Sequence, residues 1–235
     1  MASERRIVVL ISGSGSNLQA LLDAVSDGRL GQARITQVIS NRKAAFGLER
    51  ARKAGVPTAV LSMKTWLGRN AGKTREDYDE VLAGAVLAGA SGRSQEWLDA
   101  QGAQGQQLVQ QDTAAPTKPD LVVLAGFMHI VSPRFLQVVG NTPCINLHPA
   151  LPGAFDGIEA IKRAHDAFQE GKLKDGKTGV MVHEVVAEVD RGRPIVVQEV
   201  ECIEGQSLED LEGRIHEVEH RIIVEAAGKI LSERS

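Results

Sequence analysis

The fold is decided by residues 6–22, which read Arg-Ile-Val-Val-Leu-Ile-Ser-Gly-Ser-Gly-Ser-Asn-Leu-Gln-Ala-Leu-Leu. A short apolar run rich in β-branched residues is followed by a glycine-rich turn, and then by leucines at helical spacing (Leu18, Leu21 and Leu22). This order predicts a buried strand that turns directly into a helix. Such a unit is typical of the start of a doubly wound α/β fold.

Short β-branched runs continue to alternate with longer segments of helical spacing along the chain, which predicts parallel strands joined by crossover helices. The predicted strands are residues 6–11, 35–39, 57–61, 121–125 and 144–147. Two later runs, 180–186 and 194–200, are separated by a polar link that contains a glycine, and this favours an antiparallel hairpin. The sequence therefore predicts an α/β protein with a mostly parallel, Rossmann-like sheet and an antiparallel hairpin near its C-terminal end.

The last segment predicts a long C-terminal helix, because apolar residues recur three or four apart from Leu208 to Ile230 and Ser207 is a suitable N-cap. Residues 88–118 break the α/β pattern, since they are rich in Gln, Gly, Ala and Ser, and we expect them to form a surface insertion that buries little. A length of 235 residues suits one domain. We therefore expect residues 1–235 to form a single domain that carries this insertion.

Composition excludes several classes of function. Lysine and arginine number 27 and aspartate and glutamate 30, a net charge of −3, which provides no broad basic field for a nucleic acid. No apolar run reaches the roughly 18–20 residues that cross a bilayer, and the first residues show no secretory signal pattern. Only two cysteines occur. We therefore expect a cytoplasmic protein without a disulfide framework, a membrane span or a nucleic-acid partner.

The glycine-rich turn after the first predicted strand suggests a phosphate site. Backbone N–H groups at the start of a helix have no partner within the helix, and they lie at the positive end of its dipole. A dinucleotide fingerprint would need a third glycine where Leu18 stands, and a Walker loop would need Gly-Lys-Ser/Thr, which is absent. A phosphate cradle and a plain tight turn capped by Ser16 or Asn17 both fit this pattern.

A second candidate site lies at the end of the strand predicted at 144–147, where doubly wound sheets bind their ligands. Asn146 and His148 are two residues apart and therefore project from the same face of an extended strand. An amide donor beside a titratable imidazole suits a carbonyl that becomes an oxyanion during acyl transfer. The alternative is a structural histidine. Asp190, in the hairpin link, is either a turn residue or a carboxylate that orients His148 and raises its pKa.

Metal chemistry has little support in the sequence. His216 and His220 are four residues apart on the predicted C-terminal helix, a spacing that suits a metal, but no third ligand accompanies them. We therefore expect no metal site.

Four segments carry a resemblance to a known family: residues 8–19, 124–128, 145–149 and 190–195, in this order and across nearly the whole chain. Together they resemble the phosphoribosylglycinamide formyltransferases, the folate-dependent enzymes of purine synthesis. The resemblance implies a catalytic trio of Asn146, His148 and Asp190. The substrate-binding positions that it implies are Gly15, Ser16, Asn17 and Glu219. The positions that it implies for the folate donor are Arg75, Met128, His129, Ile130, Val131 and Asn146.

The resemblance also implies an activity, namely transfer of a formyl group from 10-formyltetrahydrofolate to the amine of glycinamide ribonucleotide, without a metal. The alternatives are a formyltetrahydrofolate hydrolase and a noncatalytic phosphate- or nucleotide-binding module. A methionyl-tRNA formyltransferase would carry a further C-terminal domain and a basic surface, and a hydrolase a regulatory domain ahead of this core; we expect neither here. The sequence specifies no oligomeric state.

Overall fold

A computed structural model describes residues 4–104 and 118–233 of the chain. The strands of this part are β1 (Arg5–Ile11), β2 (Ala33–Ser40), β3 (Thr58–Val60), β4 (Leu121–Leu124), β5 (Cys144–His148), β6 (Lys177–Glu184) and β7 (Pro194–Glu201). The helices are α1 (Ser16–Ser26), α2 (Gly47–Lys53), α3 (Met63–Arg69), α4 (Arg75–Gly89), α5 (Ser94–Gln104), α6 (Pro133–Val139), α7 (Ala160–Gln169) and α8 (Leu208–Ser232), with a 3₁₀ turn at Lys174–Gly176.

The seven strands form one sheet in the order β3-β2-β1-β4-β5-β6-β7. The first five strands pair in parallel, whereas β6 pairs antiparallel with both β5 and β7. The predicted mostly parallel sheet and its antiparallel hairpin are therefore confirmed. The chain moves outward from β1 to β3 and then returns to place β4 on the other side of β1. The strand order thus reverses at β1 and β4, and the crevice at their carboxyl ends is where such sheets bind ligands.

Helices cover both faces of the sheet, which explains why its central strands read as continuous apolar runs. Residues 7–11 of β1 have no solvent exposure. One face packs against α1, α2 and α8, and the other packs against α4 and α6. No helix within residues 4–104 and 118–233 is long and apolar enough to cross a membrane.

The predicted C-terminal helix is confirmed as α8. Its N-cap is Ser207, whose hydroxyl accepts a hydrogen bond from the backbone N–H of Asp210, while the Asp210 carboxylate accepts one from the backbone N–H of Ser207. This is a capping box in which aspartate takes the place of the more common glutamate. The apolar stripe of the helix, which includes Leu211, Ile215 and Ile222, is buried against the sheet.

The predicted insertion at 88–118 falls partly outside the described residues, since 105–117 belong to neither described range. In the described part, α4 continues through Gly89 and α5 packs on it. Ser94 is fully buried and donates its hydroxyl to the carbonyl of Ala85 (2.7 Å), and the ring of Trp97 lies directly against Gly84. Ser94 and the ring of Trp97 are thus packed against α4, and the surface insertion over residues 88–118 stays a prediction. The single domain over residues 1–235 stays a prediction.

Candidate active site

A cluster of polar side chains lies where β5 and β6 meet the connection to β7. Asp190 Oδ2 is 3.5 Å from His148 Nδ1, and Asp190 Oδ1 is 3.5 Å from His183 Nε2. Asn146 Nδ2 is 3.3 Å from that same His183 nitrogen. The structure thus brings Asn146, His148 and Asp190 into one cluster, with His183 connecting the amide to the carboxylate.

Asp190 enters the cluster because of the shape of the connection between β6 and β7. Its backbone has a φ of 55°, a left-handed conformation that aspartate tolerates better than most residues. Its carboxylate is only 8% exposed, and it accepts a hydrogen bond from the backbone N–H of Gly157 (2.9 Å). The carboxylate is therefore held from two sides, by the loop after β5 and by the histidines.

Gly192 allows the connection to close onto the cluster. A Cβ at this position would lie 1.7 Å from the carbonyl oxygen of Glu184 and 3.2 Å from His183 Nδ1. Only a glycine permits this approach of the two backbone segments. The glycine that indicated a hairpin in the sequence is thus also the residue that lets Asp190 reach the histidines.

His183 is a member of the cluster to which the sequence assigned no role. It pairs with Asn146 across the antiparallel β5–β6 ladder. His183 Nδ1 lies 2.8 Å from the carbonyl oxygen of Glu184, and because a carbonyl only accepts hydrogen bonds, Nδ1 carries a proton. In the neutral ring, Nε2 then accepts a hydrogen bond from the Asn146 amide. An amide nitrogen carries two N–H groups, so the second is not used by His183.

His148 is buried, with 4% of its surface exposed. Its Nε2 lies 3.2 Å from the carbonyl oxygen of Phe155, so Nε2 carries a proton and Nδ1 is the atom that faces Asp190. Burial lowers the pKa of His148 below its ordinary value, although the Asp190 carboxylate and the Phe155 carbonyl act in the opposite direction. Asp190 acts to raise this pKa, as expected, but desolvation outweighs the carboxylate and the net shift is downward. At neutral pH, His148 is uncharged.

Asp190 is ionised at neutral pH. Burial acts to raise the pKa of this carboxyl, but the hydrogen bond from the Gly157 N–H and the neighbouring imidazoles of His183 and His148 lower it below its ordinary value. A neutral imidazole thus lies beside a fixed negative charge. This arrangement stabilises an imidazolium when His148 takes up a proton.

The glycine-rich turn forms the start of α1. Gly15 is the N-cap residue, with a φ of 72°, and no side chain caps the helix, so the interpretation as a turn capped by Ser16 or Asn17 does not hold. A Cβ at Gly15 would lie 2.5 Å from the Cα of Gly47, whose own N–H donates to the Gly13 carbonyl (3.1 Å). The first N–H groups of α1 therefore keep their capacity to bind an anion.

Asn17 and Glu219 meet behind this turn, although they come from opposite ends of the chain. Asn17 Nδ2 donates to Glu219 Oε2 at 3.0 Å, and both residues are buried. Burial raises the pKa of Glu219, against the opposing effects of the Asn17 hydrogen bond and the charge of His216. Within the described residues, Asn17 Oδ1 has no hydrogen-bond partner. A buried amide oxygen of this kind has capacity for a donor from a ligand.

A cavity of about 480 Å³ lies beside the turn, and it is lined by Ser16, Arg50, His220 and Arg221 among others. Arg50 Nε donates to the carbonyl of Ser14 at 2.9 Å, which places its guanidinium against the turn. The lining thus holds three arginines and two carboxylates, next to the positive end of a helix: Arg29, Arg50, Arg221, Asp23 and Glu217. Sequence reasoning missed Arg50, because it lies far along the chain from the glycine-rich segment.

Three of the positions implied for the folate donor, Arg75, Ile130 and Val131, line a second cavity of about 350 Å³. The Arg75 guanidinium donates to the carbonyl of Ile130. Met128 is 66% and Ile130 54% exposed. The ring of His129, by contrast, is only 8% exposed and is bound to Asp79.

No three His, Cys, Asp or Glu side chains in residues 4–104 and 118–233 form a group that could hold a metal ion.

A doubly wound sheet with an amide, two imidazoles and a carboxylate at the ends of its strands defines an α/β enzyme suited to group transfer at a carbonyl. The sequence matches the family model described as Formyl transferase over residues 5–227. The chain therefore belongs to the formyl transferase family.

Individual relatives agree with this assignment. The chain is 46% identical over 233 residues to the phosphoribosylglycinamide formyltransferase of Schizosaccharomyces pombe, a match that covers 97% of both chains. It is 43% identical over 231 residues to the enzyme of the same name from Saccharomyces cerevisiae, covering 97% of this chain and 98% of the other. Among solved structures, glycinamide ribonucleotide transformylase 1 from Symbiobacterium toebii superposes with a TM-score of 0.74 at 36% identity, covering 98% of this chain and 89% of the other.

Proposed function

We propose that the protein is a phosphoribosylglycinamide formyltransferase, which transfers the formyl group of 10-formyltetrahydrofolate to the amine of glycinamide ribonucleotide in purine biosynthesis. The observation that carries the proposal is the cluster in which Asp190 Oδ2 lies 3.5 Å from His148 Nδ1 while Asn146 reaches the same carboxylate through His183. The match along nearly the full length of relatives with this name supports it. The partners in this proposal are small molecules, and the location is the cytoplasm.

Binding of the ribonucleotide begins, in this proposal, at the start of α1. The N–H groups of Gly15, Ser16 and Asn17 donate hydrogen bonds to the phosphate, with Arg50 close by to add positive charge. The Glu219 carboxylate, anchored by Asn17, accepts a hydrogen bond from the substrate amine. Binding energy gained at the phosphate, remote from the reaction, then holds the amine close to the formyl carbon.

In formyl transfer the substrate amine attacks the formyl carbon, and the bond from that carbon to folate N10 then breaks. The step requires a hydrogen-bond donor for the carbonyl oxygen and an acceptor for the proton that the amine loses. That proton is passed on to N10, which leaves as the secondary amine of tetrahydrofolate. The N–H of Asn146 that His183 does not use is the donor, and it stabilises negative charge on that oxygen. His148 is uncharged at neutral pH and accepts the proton, and Asp190 stabilises the resulting imidazolium. General acid–base catalysis of this kind contributes about 10²–10⁴-fold in rate.

In this proposal the second cavity binds the folate donor, which supplies the formyl carbon. Its lining combines apolar surface from Ile130 and Val131 with the Arg75 guanidinium, and Met128 is exposed on the loop that carries Ile130 and Val131. A flat heteroaromatic ring needs such apolar walls, and backbone groups of the loop provide hydrogen bonds to its edge. We propose that the transfer needs no metal, so dialysis against a chelator is expected to leave the rate unchanged.

A spectroscopic assay with both substrates tests the function directly. We expect tetrahydrofolate to appear only when 10-formyltetrahydrofolate and glycinamide ribonucleotide are supplied together, because the substrate amine is the nucleophile. Release of tetrahydrofolate without the amine would instead identify a hydrolase. Binding of either compound with no turnover would identify a noncatalytic module.

The phosphate cradle is tested by the substitution Gly15→Ala. A Cβ would meet the Cα of Gly47 at 2.5 Å, and the left-handed φ of 72° is strained for alanine, so the turn must shift. Strain of this kind costs about 1–3 kcal/mol, so we expect the KM for glycinamide ribonucleotide to rise about tenfold. The KM for the folate donor should change far less.

Gly13→Ala is the matched control for this substitution. It lies two residues earlier in the same turn, and a Cβ there meets nothing within 4 Å. Its kinetic constants are expected to stay within about twofold of the wild type. Equal increases of both KM values in the Gly15 variant would contradict a phosphate site at this turn.

A further inference from the structure

The loop formed by residues 128–132, which follows β4, presents two large apolar side chains to solvent. Met128 is 66% and Ile130 54% exposed, while Val131 and Ser132 are buried. The loop contains no regular secondary structure that would fix this alternation. Something outside the loop must therefore hold its backbone in place.

A buried carboxylate of α4 holds the loop near both ends. Asp79 has no solvent exposure, and its Oδ2 accepts a hydrogen bond from the backbone N–H of Ser132 at 2.6 Å. Its Oδ1 lies 2.5 Å from His129 Nε2. The ring of His129 packs edge-on against Tyr78 (5.3 Å between centroids) and Phe127 (5.9 Å). Both carboxylate oxygens are thus used by the loop.

Two further contacts complete the support. The backbone N–H of Met128 donates to Ser12 Oγ (2.7 Å), and that hydroxyl donates to Asn41 Oδ1 (2.7 Å). The Arg75 guanidinium, one helical turn before Asp79, donates to the carbonyl of Ile130. Four of the five loop residues are therefore fixed by named polar contacts, and the side chains of Met128 and Ile130 are what the loop offers outward.

Burying a carboxylate in a protein core costs free energy, because the charge loses its hydration. A buried charge is tolerated only when it is fully hydrogen-bonded, and an apolar side chain would pack at the same position at less cost. The hydrogen bonds of Asp79 are directional and therefore select one loop conformation. Apolar packing at the same position would not select a single conformation. The presence of a buried carboxylate here therefore indicates that the protein needs the loop in one defined position.

We propose that Asp79 is a positioning residue for the formyl donor: through His129 and Ser132 it holds Met128 and Ile130 as the apolar wall against which the flat ring of the donor packs. This inference rests on the proposed function, since it assigns a role within the folate side of that site. Asp79 itself touches no substrate. Its effect is transmitted entirely through the loop.

The test is Asp79→Asn, measured in the two-substrate assay. Asparagine keeps the size of the side chain but offers an N–H where one carboxylate oxygen stood, so one of the two loop contacts is weakened. A hydrogen bond to a charged group is worth enough that the KM for 10-formyltetrahydrofolate is expected to rise about tenfold. The KM for glycinamide ribonucleotide and kcat are expected to stay within about twofold, because neither the α1 turn nor the His148 cluster is touched.

Glu80→Gln is the matched control, because it removes the same charge from the next residue of α4. Glu80 pairs with Arg134 of α6 at 2.9 Å, and this partner lies outside the loop. Its kinetic constants are expected to equal those of the wild type.

A second pair of variants separates positioning from folding. His129→Gln keeps an N–H that reaches Asp79, whereas His129→Leu does not. We expect the leucine variant to show the raised KM for the donor and the glutamine variant to restore it to within about threefold of wild type. If the melting temperature shows that Asp79→Asn does not fold, the two His129 variants still test the positioning role.

Different outcomes refute different statements. Wild-type protein that shows no turnover with both substrates would refute the proposed function. An active, folded Asp79→Asn with an unchanged donor KM, or with both KM values raised equally, would refute only the positioning role. Equal donor KM values for the leucine and glutamine variants would refute it as well.

Discussion

Replacing His148 by alanine is expected to lower kcat by about 10²–10⁴-fold, with a far smaller change in the KM for glycinamide ribonucleotide. In the proposed mechanism the imidazole accepts the amine proton, and the phosphate cradle proposed for the ribonucleotide is formed by another part of the sheet edge. Asp190 keeps its contacts with His183 and the Gly157 N–H in this variant. The cluster therefore retains its shape when the ring is removed, and the loss should be one of rate.

His165→Ala is the appropriate control, since this histidine also lies against a backbone carbonyl, that of Gln206 at 3.2 Å, but outside the cluster. Steady-state rates and melting curves of both variants, measured side by side, separate catalysis from stability. Near-normal turnover in a folded His148→Ala protein would exclude His148 as the proton acceptor.

Most of the fold can be predicted from the sequence, because the patterns that indicate its strands and helices are local. The apolar run at β1 followed by Gly15 predicts strand, turn and helix within a few residues, and the alternation of such units predicts a parallel sheet. The hairpin of β6 and β7 and the capped helix α8 also follow from local patterns. Strand ends differ from the predicted ones by up to three residues, because local signals are weakest at the ends of elements.

The part of the site that escaped prediction depends on contacts between distant residues. His183 faces Asn146 because of the register between β5 and β6, which no local pattern specifies. Arg50 and Asp79 reach their sites from helices on opposite faces of the sheet. The pKa of His148 is a further example, because the neighbouring Asp190 suggested an increase and only the burial of the ring reveals the decrease.

The pair of pKa shifts suggests why a carboxylate belongs beside a buried imidazole. Desolvation alone makes His148 a weak base, and a weak base is a poor acceptor for an amine proton. Asp190 restores part of that basicity while leaving the ring uncharged before the reaction. Charge therefore appears in the cluster only when the proton moves, and the carboxylate is already in place to stabilise it.

Asp190→Asn tests this argument, and we expect kcat to fall about a hundredfold or more. Asparagine matches the shape of aspartate but carries no charge, so the imidazolium of His148 loses its stabilisation. Because the Gly157 N–H requires an oxygen, the new N–H₂ group turns toward His183 Nε2 and competes there with the Asn146 amide. Asp166→Asn, an exposed position paired with Lys162 at 2.6 Å, serves as the control and should behave as wild type.

The sign of the accompanying pKa change is the decisive part of this prediction. Asp190 favours the charged form of His148, so its neutralisation must lower a pKa that already lies below the ordinary 6.5. NMR titration of labelled histidine rings measures it in the free protein, with the His148 signal identified by its loss in His148→Ala. A lower pKa together with lower kcat means that Asp190 acts by its charge. An unchanged or higher pKa would contradict that role and would leave Asp190 acting only through the hydrogen bonds that shape the cluster.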